Sequence, residues 1–132
     1  MNKAAIIINP DLPVGLLANA VACITSGLFV NGGELVGEEI IGSGVNYIPI
    51  TKIPILILKP GNTPLIDLCR RAQEMDLKYM AFTREAQTTT NYEEYKKRVV
   101  GKNIDDVILV GLGIVGTEEK INSLTGNLPM LR

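Results

Sequence analysis

Histidine is absent from all 132 residues, and that absence removes the commonest general base, the usual activation of a serine or cysteine nucleophile, and the commonest metal ligand. Any catalysis falls to carboxylates, lysines, hydroxyls or backbone amides, and no metal site and no cofactor is expected. Cysteine is scarce too. Cys23 and Cys69 stand too far apart and too unaccompanied for a disulfide scaffold or a zinc site, and read as free cytoplasmic thiols serving as small core hydrophobes. An excess of one charge sign is also missing: 13 basic residues face 14 acidic ones, for a net charge of −1. The chain therefore lacks the positive field on which phosphate-backbone binding draws, which argues against a nucleic-acid partner.

From Leu12 to Gly33 there is no charged side chain at all. A membrane-spanning helix needs about 20 mostly apolar residues, but Pro13, Gly15, Asn19, Thr25, Ser26 and Gly27 interrupt this run. The strand-like KAAIIINP precedes it, without the basic start and small-residue cleavage pattern of a signal peptide. The expectation is a buried helix over 14–30 in a cytoplasmic protein, with no membrane partner.

What is present is a substantial apolar fraction, 46%, enough for a core in one domain spanning 1–132. An isoleucine-rich strand over 3–9 ends at the turn residues Asn9-Pro10-Asp11. The 14–30 helix is apolar on nearly every face, which predicts cover on both sides: the sheet on one, a second copy of the chain on the other. Two strand-like pieces within 34–50 flank Gly42-Ser43-Gly44 as a hairpin. The continuous apolar run 53–59 reads as a central strand buried on both faces. Beyond Pro60-Gly61, Thr63 is placed to cap a helix with Pro64 at its first position and Leu65, Leu68, Cys69, Ala72 and Met75 at helical spacing. A strand over 78–83, a polar loop REAQTTTN, a charged helix over 92–100, a strand over 107–112 and a helix capped by Thr117 complete the chain. Strands alternating with helices predict a three-layer α/β/α sandwich around a mixed sheet of about four core strands, decorated by the hairpin.

Gly111, Gly113 and Gly116 spell G-x-G-x-x-G after a strand, the fingerprint of dinucleotide binding. The fingerprint requires a second strand with an acidic residue about 20 positions on, and the sequence stops at Arg132. The glycines are expected instead to form the turn that closes the strand and starts the last helix.

The segment GLGIVGTEEKINSLTGNLPML resembles the closing part of type 2 peptidyl-tRNA hydrolases, and IIINPDLPVGLLANAVA their first strand, Asp-Leu turn and long helix. ILILKPGN and AFTREAQTT follow in the same order, so the resemblance covers most of the chain except 34–50 and 91–103. A nearer match is the uncharacterised bacterial domain-of-unknown-function family numbered two thousand, which looks like the same fold with such insertions. The hydrolase resemblance implies an active site that this chain fills incompletely. Leu16 and Cys23 stand where the family has a lysine and a histidine, and Glu85-Ala86-Gln87-Thr88-Thr89 matches its Asp-Ala-Gly-x-Thr loop.

The residues themselves point to the same loop, because open α/β sheets place ligands beyond the carboxyl ends of their strands. Glu85 has the chemistry to relay a proton, and Thr88, Thr89 and Thr90 to donate hydrogen bonds to a carbonyl or phosphate. The competing structural reading has the threonines capping the helix near Tyr92. Asn19 is either a ligand contact beside Asp11 or a polar group satisfied by nearby backbone. Three functions stay open: a protein binding a small or nucleotide-like ligand near Asp11, Asn19, Thr88 and Thr90; an ester or amide hydrolase using Glu85 and Thr89; and a non-catalytic partner-binding subunit dimerising through its first helix.

Overall fold

The computed structural model describes residues 1–132. β1 (Asn2–Ile8) leads through the Asn9–Asp11 turn into α1 (Val14–Phe29). A short 3-10 turn then opens a hairpin of β2 (Ile40–Ile41) and β3 (Asn46–Tyr47), followed by β4 (Ile55–Leu58), α2 (Leu65–Glu74) and β5 (Lys78–Thr83). The one-turn α3 (Arg84–Gln87), α4 (Tyr92–Val99), β6 (Leu109–Thr117) and α5 (Glu118–Thr125) complete the chain. The main sheet runs β4-β1-β6-β5, with β4 parallel to β1 and β6 antiparallel to both its neighbours. This is an open, mixed, four-stranded α/β sheet. No helix is long and apolar enough to cross a membrane.

Strand alternation divides the core into two clusters. Ala4, Ile6 and Ile8 of β1 face α1 through Ala20, Ile24 and Leu28. Ala5 and Ile7, with Leu112 and Ile114 of β6, face the other way onto Leu68, Cys69 and Ala72 of α2 and Ile121 and Leu124 of α5. Helices thus cover both faces of the sheet. The outer side of α1 faces away from the sheet, with Gly15, Ala18 and Ala22 exposed in the single chain.

The glycine-rich segment differs most from expectation. β6 continues through it, so Gly111, Gly113 and Gly116 lie inside a nine-residue strand and build no turn. They serve close approach. A Cβ on Gly113 would sit 2.4 Å from Ile24 Cγ2 and 2.7 Å from Leu28 Cδ1; one on Gly111 would sit 2.7 Å from Ile24 Cδ1. One on Gly116 would meet Leu77 Cδ2 at 2.5 Å on the opposite face. Glycine within a strand commonly marks such a contact. The dinucleotide fingerprint has no phosphate-binding turn here, because the turn it needs is strand. The helix that follows starts as the sequence indicates, with the Thr117 hydroxyl accepting from Lys120 N and Glu118 and Glu119 in its first turn.

The 53–59 run is an edge strand, not a central one. Its outer edge is closed by the end of the chain: Lys59 N donates to the Pro129 carbonyl at 2.8 Å and Leu131 N to the Ile57 carbonyl at 3.0 Å. Thr63 makes no side-chain cap on α2. The polar loop after β5 begins as α3, because the Thr83 hydroxyl accepts from Ala86 N and starts a helical turn.

Gly113→Ala should cost about 1–3 kcal/mol by overpacking, measured by urea denaturation. Gly15→Ala, whose added methyl meets nothing within 4 Å, should be neutral or stabilising by up to about 1 kcal/mol. Equal effects at the two positions would contradict the close seating of α1.

Candidate functional site

β1, β4 and β5 run in one direction, so their following segments gather at one end of the sheet. Two concavities lie on or near that end. The larger, about 570 Å³, is a wide, shallow cleft lined by Asn9, the Pro60–Ile66 loop, Ile104 and Val107–Leu109. Asp11 stands on its adjoining lip with Lys59 and Asn62.

The smaller, about 380 Å³, is the more enclosed and lies between α1 and the α3–α4 segment. Met80 and Phe82 of β5 line it with Cys23, Ser26 and Gly27 of α1, and Ala86, Thr89, Asn91, Tyr92 and Tyr95 stand opposite α1 in sequence. Serine, threonine and tyrosine hydroxyls, a cysteine thiol and an asparagine amide therefore border one apolar space. None of the lining side chains is charged. Pockets for small ligands combine these features at this size.

Local bonds hold the two walls. The Gln87 side-chain amide donates to the Leu16 carbonyl at 2.8 Å and to Asn19 Oδ1 at 3.3 Å, fastening α3 to the first half of α1. Leu16, Asn19, Cys23 and Ser26 follow one another at helical spacing along the side of α1 that meets α3 and α4. Asn91 caps α4, its Oδ1 accepting from Glu94 N, while Asn91 N donates to the Thr89 hydroxyl at 3.2 Å. Tyr92 and Tyr95 meet edge to face, their centroids 5.6 Å apart. Burial pushes the Tyr95 phenol up, and its neighbour Tyr92 adds to the rise, so Tyr95 remains a protonated donor at neutral pH.

The sequence-derived candidates are divided among these places. Thr89 and Cys23 line the smaller, half-open cavity, and Asn19 lies at its α1 wall through Gln87. Asp11 belongs to the shallow cleft. Glu85 accepts from Ile108 N at 3.1 Å, beside the bond from Arg84 N to the Ile108 carbonyl, and so ties α3 to the start of β6. Thr88 donates to the Arg84 carbonyl and accepts from Arg98, and Thr90 is exposed. The helix cap is Asn91, not a threonine. Ser26, Asn91, Tyr92 and Tyr95 were not among the candidates, although Tyr92 and Tyr95 three apart in a charged helix, and Ser26 three after Cys23, carry the spacing that puts each pair on one face.

Only one of the two cysteines is a core residue. Cys69 is fully buried while Cys23 is half-buried at the cavity wall. Burial raises the Cys69 thiol, partly offset by Arg70. The stability this group contributes is fully present below its unfolded-state pKa and is lost as pH rises through the raised folded value. Cys69→Ala should therefore weaken the alkaline loss of stability. A disulfide reagent should titrate Cys23 alone in the folded chain and both thiols after unfolding, with Cys23→Ser abolishing the native reaction. Native reaction of Cys69 would contradict this core.

Comparison with solved structures finds the same architecture in a protein of unknown function, Atu0240 from Agrobacterium tumefaciens strain C58. The TM-score is 0.87 at 22% identity, over 98% of this chain and 96% of that one. At that identity the likeness establishes the fold alone. A search of curated proteins finds no match. The sequence profile of one family, described as protein of unknown function (DUF2000), matches residues 2–132, and this chain belongs to that family.

Proposed function

We propose that this chain binds a small, uncharged, ring-bearing molecule, nucleoside-like in size and polarity, between α1 and α4. The single observation that carries the reading is the half-open groove itself: Ser26, Thr89, Asn91 and Tyr95 border an apolar space lined by Met80 and Phe82. Neutral donors and acceptors select a ligand able to hydrogen-bond at its edges, and the tyrosines offer aromatic surface for a ring. The absence of lysine or arginine from the lining favours a ligand without phosphate.

The same reading takes the architecture as that of type 2 peptidyl-tRNA hydrolases with an added hairpin, in a cytoplasmic protein whose two thiols stay reduced. Leu16 and Cys23, at the positions resembling the hydrolases' lysine and histidine, lie along the groove side of α1 with Thr89 nearby. The hydrolytic alternative is weaker because Glu85 spends its carboxylate on Ile108 N and does not line the cavity with Thr89. A general base must reach the water or proton it acts on.

Adenosine, guanosine and uridine at millimolar concentration should be tried by thermal shift, with their monophosphates as the anionic arm. At least one nucleoside should raise the melting temperature more than its monophosphate, and Ser26→Trp, which fills the cavity from an exposed helix position, should abolish the rise. Thr89→Val should weaken binding by up to about tenfold, the value of one hydrogen bond. A rise that survives Ser26→Trp would sink the assignment. N-blocked aminoacyl-tRNA should remain intact with the purified protein, and turnover lost in Glu85→Gln would put the hydrolase in its place.

A further inference from the structure

The hairpin arm between Val36 and Lys52 is paired within itself and packed against nothing else in the core. Gly37 N donates to the Ile50 carbonyl, Lys52 N to the Leu35 carbonyl and Gly42 N to the Val45 carbonyl, each at 2.8 Å. Ile40 opposes Tyr47 and Ile41 opposes Asn46. Neither core cluster includes a residue from 36 to 52. An isolated two-stranded hairpin is marginal in water, and this one holds its apolar side chains outward. Ile48 is 81% exposed, Ile50 78%, Ile41 72% and Ile40 64%, with Val45 and Tyr47 about half exposed. Pairing puts Ile40 with Tyr47 on one face of the ribbon and Ile41 on the other, so each face leaves an apolar patch of about 300–400 Å² in solvent, the size of the largest patch on a typical monomer.

We propose that this arm docks on the outer face of α1 in a second copy of the chain, forming a reciprocal dimer. A stable interface takes roughly 800 Å² from each partner. One face of the arm supplies up to about half of that, and the exposed side of α1, with Val14 and Val30 at its two ends, adds to it. Residues 12–33 carry no charge, so α1 brings no ion of its own into the contact. Gly15, Ala18 and Ala22 keep it low, allowing isoleucines to approach. The lengths agree: sixteen helical residues extend about 24 Å, and the arm from its Val36–Thr51 bridge to the Gly42–Gly44 tip reaches about 25 Å if fully extended. Two-fold symmetry uses each arm and each helix once. A membrane is the less suitable occupant, because Glu34 beside the arm and Glu38 and Glu39 within it stand against a single Lys52, the wrong sign for anionic lipid. None of the arm residues lines the cavity between α1 and α4, so the arm variant leaves the cavity lining intact and separates a failed dimer from a failed ligand site.

Light scattering on the eluting native protein at tens of micromolar should give twice the 14.3 kDa chain mass. The Ile48→Glu/Ile50→Glu double variant and, separately, Ala22→Arg should each elute as monomers with unchanged far-ultraviolet circular dichroism. As a measurement independent of those folds, chains carrying Ile48→Cys should form an intermolecular disulfide on oxidation with chains carrying Ala22→Cys, both in a Cys23→Ser background. A native monomer, whether or not it sediments with phosphatidylcholine vesicles, overturns the proposal. So does a dimer that survives the arm variant, or one that survives Ala22→Arg, or absence of the mixed disulfide.

Discussion

The distance between α1 and the sheet is set by what β6 leaves out. Gly111 and Gly113 present bare backbone on the α1 side, and Ile24 and Leu28 occupy the volume that two Cβ atoms would need. A helix normally rides on a layer of side chains from the sheet. Here the isoleucine and leucine reach the strand itself, and Ala4 of β1 and Ala20 of α1 keep neighbouring layers shallow. The cost is lost apolar side chain at two central positions, offset by full burial of Ile24 and Leu28.

Other features follow from that seating. With α1 held low, its flank lies level with the segment after β5, and Gln87 spans the two by bonding to Leu16 and Asn19. About two turns farther along, Gly27 lies over Met80, whose Cγ would be 3.1 Å from an added Cβ. The space that remains between α1 and α4, over Met80 and Phe82, is the half-open cavity. Cavity and core are therefore two consequences of one packing choice. The chain end contributes separately, sealing the edge of β4 with residues 129–131 and leaving β5 as the uncovered edge of the sheet.

Elements governed by local rules were legible in the sequence. β5 over 78–83 and α5 behind the Thr117 cap occur where pattern and capping chemistry place them, and the 34–50 hairpin forms around its glycines. The failures are tertiary. Glycine reads locally as a turn former, yet at 111 and 113 its value lies in contact with a helix more than eighty residues away in sequence. The run at 53–59 reports apolar faces but cannot report which strands lie beside it, nor that the tail will pair with its edge. Glu85 is chemically capable of proton transfer, but its carboxylate is committed to a backbone amide that only the fold brings near. The candidate site was half visible for the same reason: Thr89 and Cys23 were marked by resemblance, whereas the tyrosines of α4 become relevant only once α4 stands against α1.

The most direct test of this account is a double-mutant cycle between Gly111→Ala and Ile24→Val, read by equilibrium urea denaturation. The second change deletes Ile24 Cδ1, the atom 2.7 Å from the methyl that the first would add. Direct interdigitation predicts that the double variant is more stable than the sum of the two losses, by about 0.5–1.5 kcal/mol, with Ile8 keeping the relief incomplete. Additivity within about 0.3 kcal/mol would contradict the seating of α1 on the glycine floor.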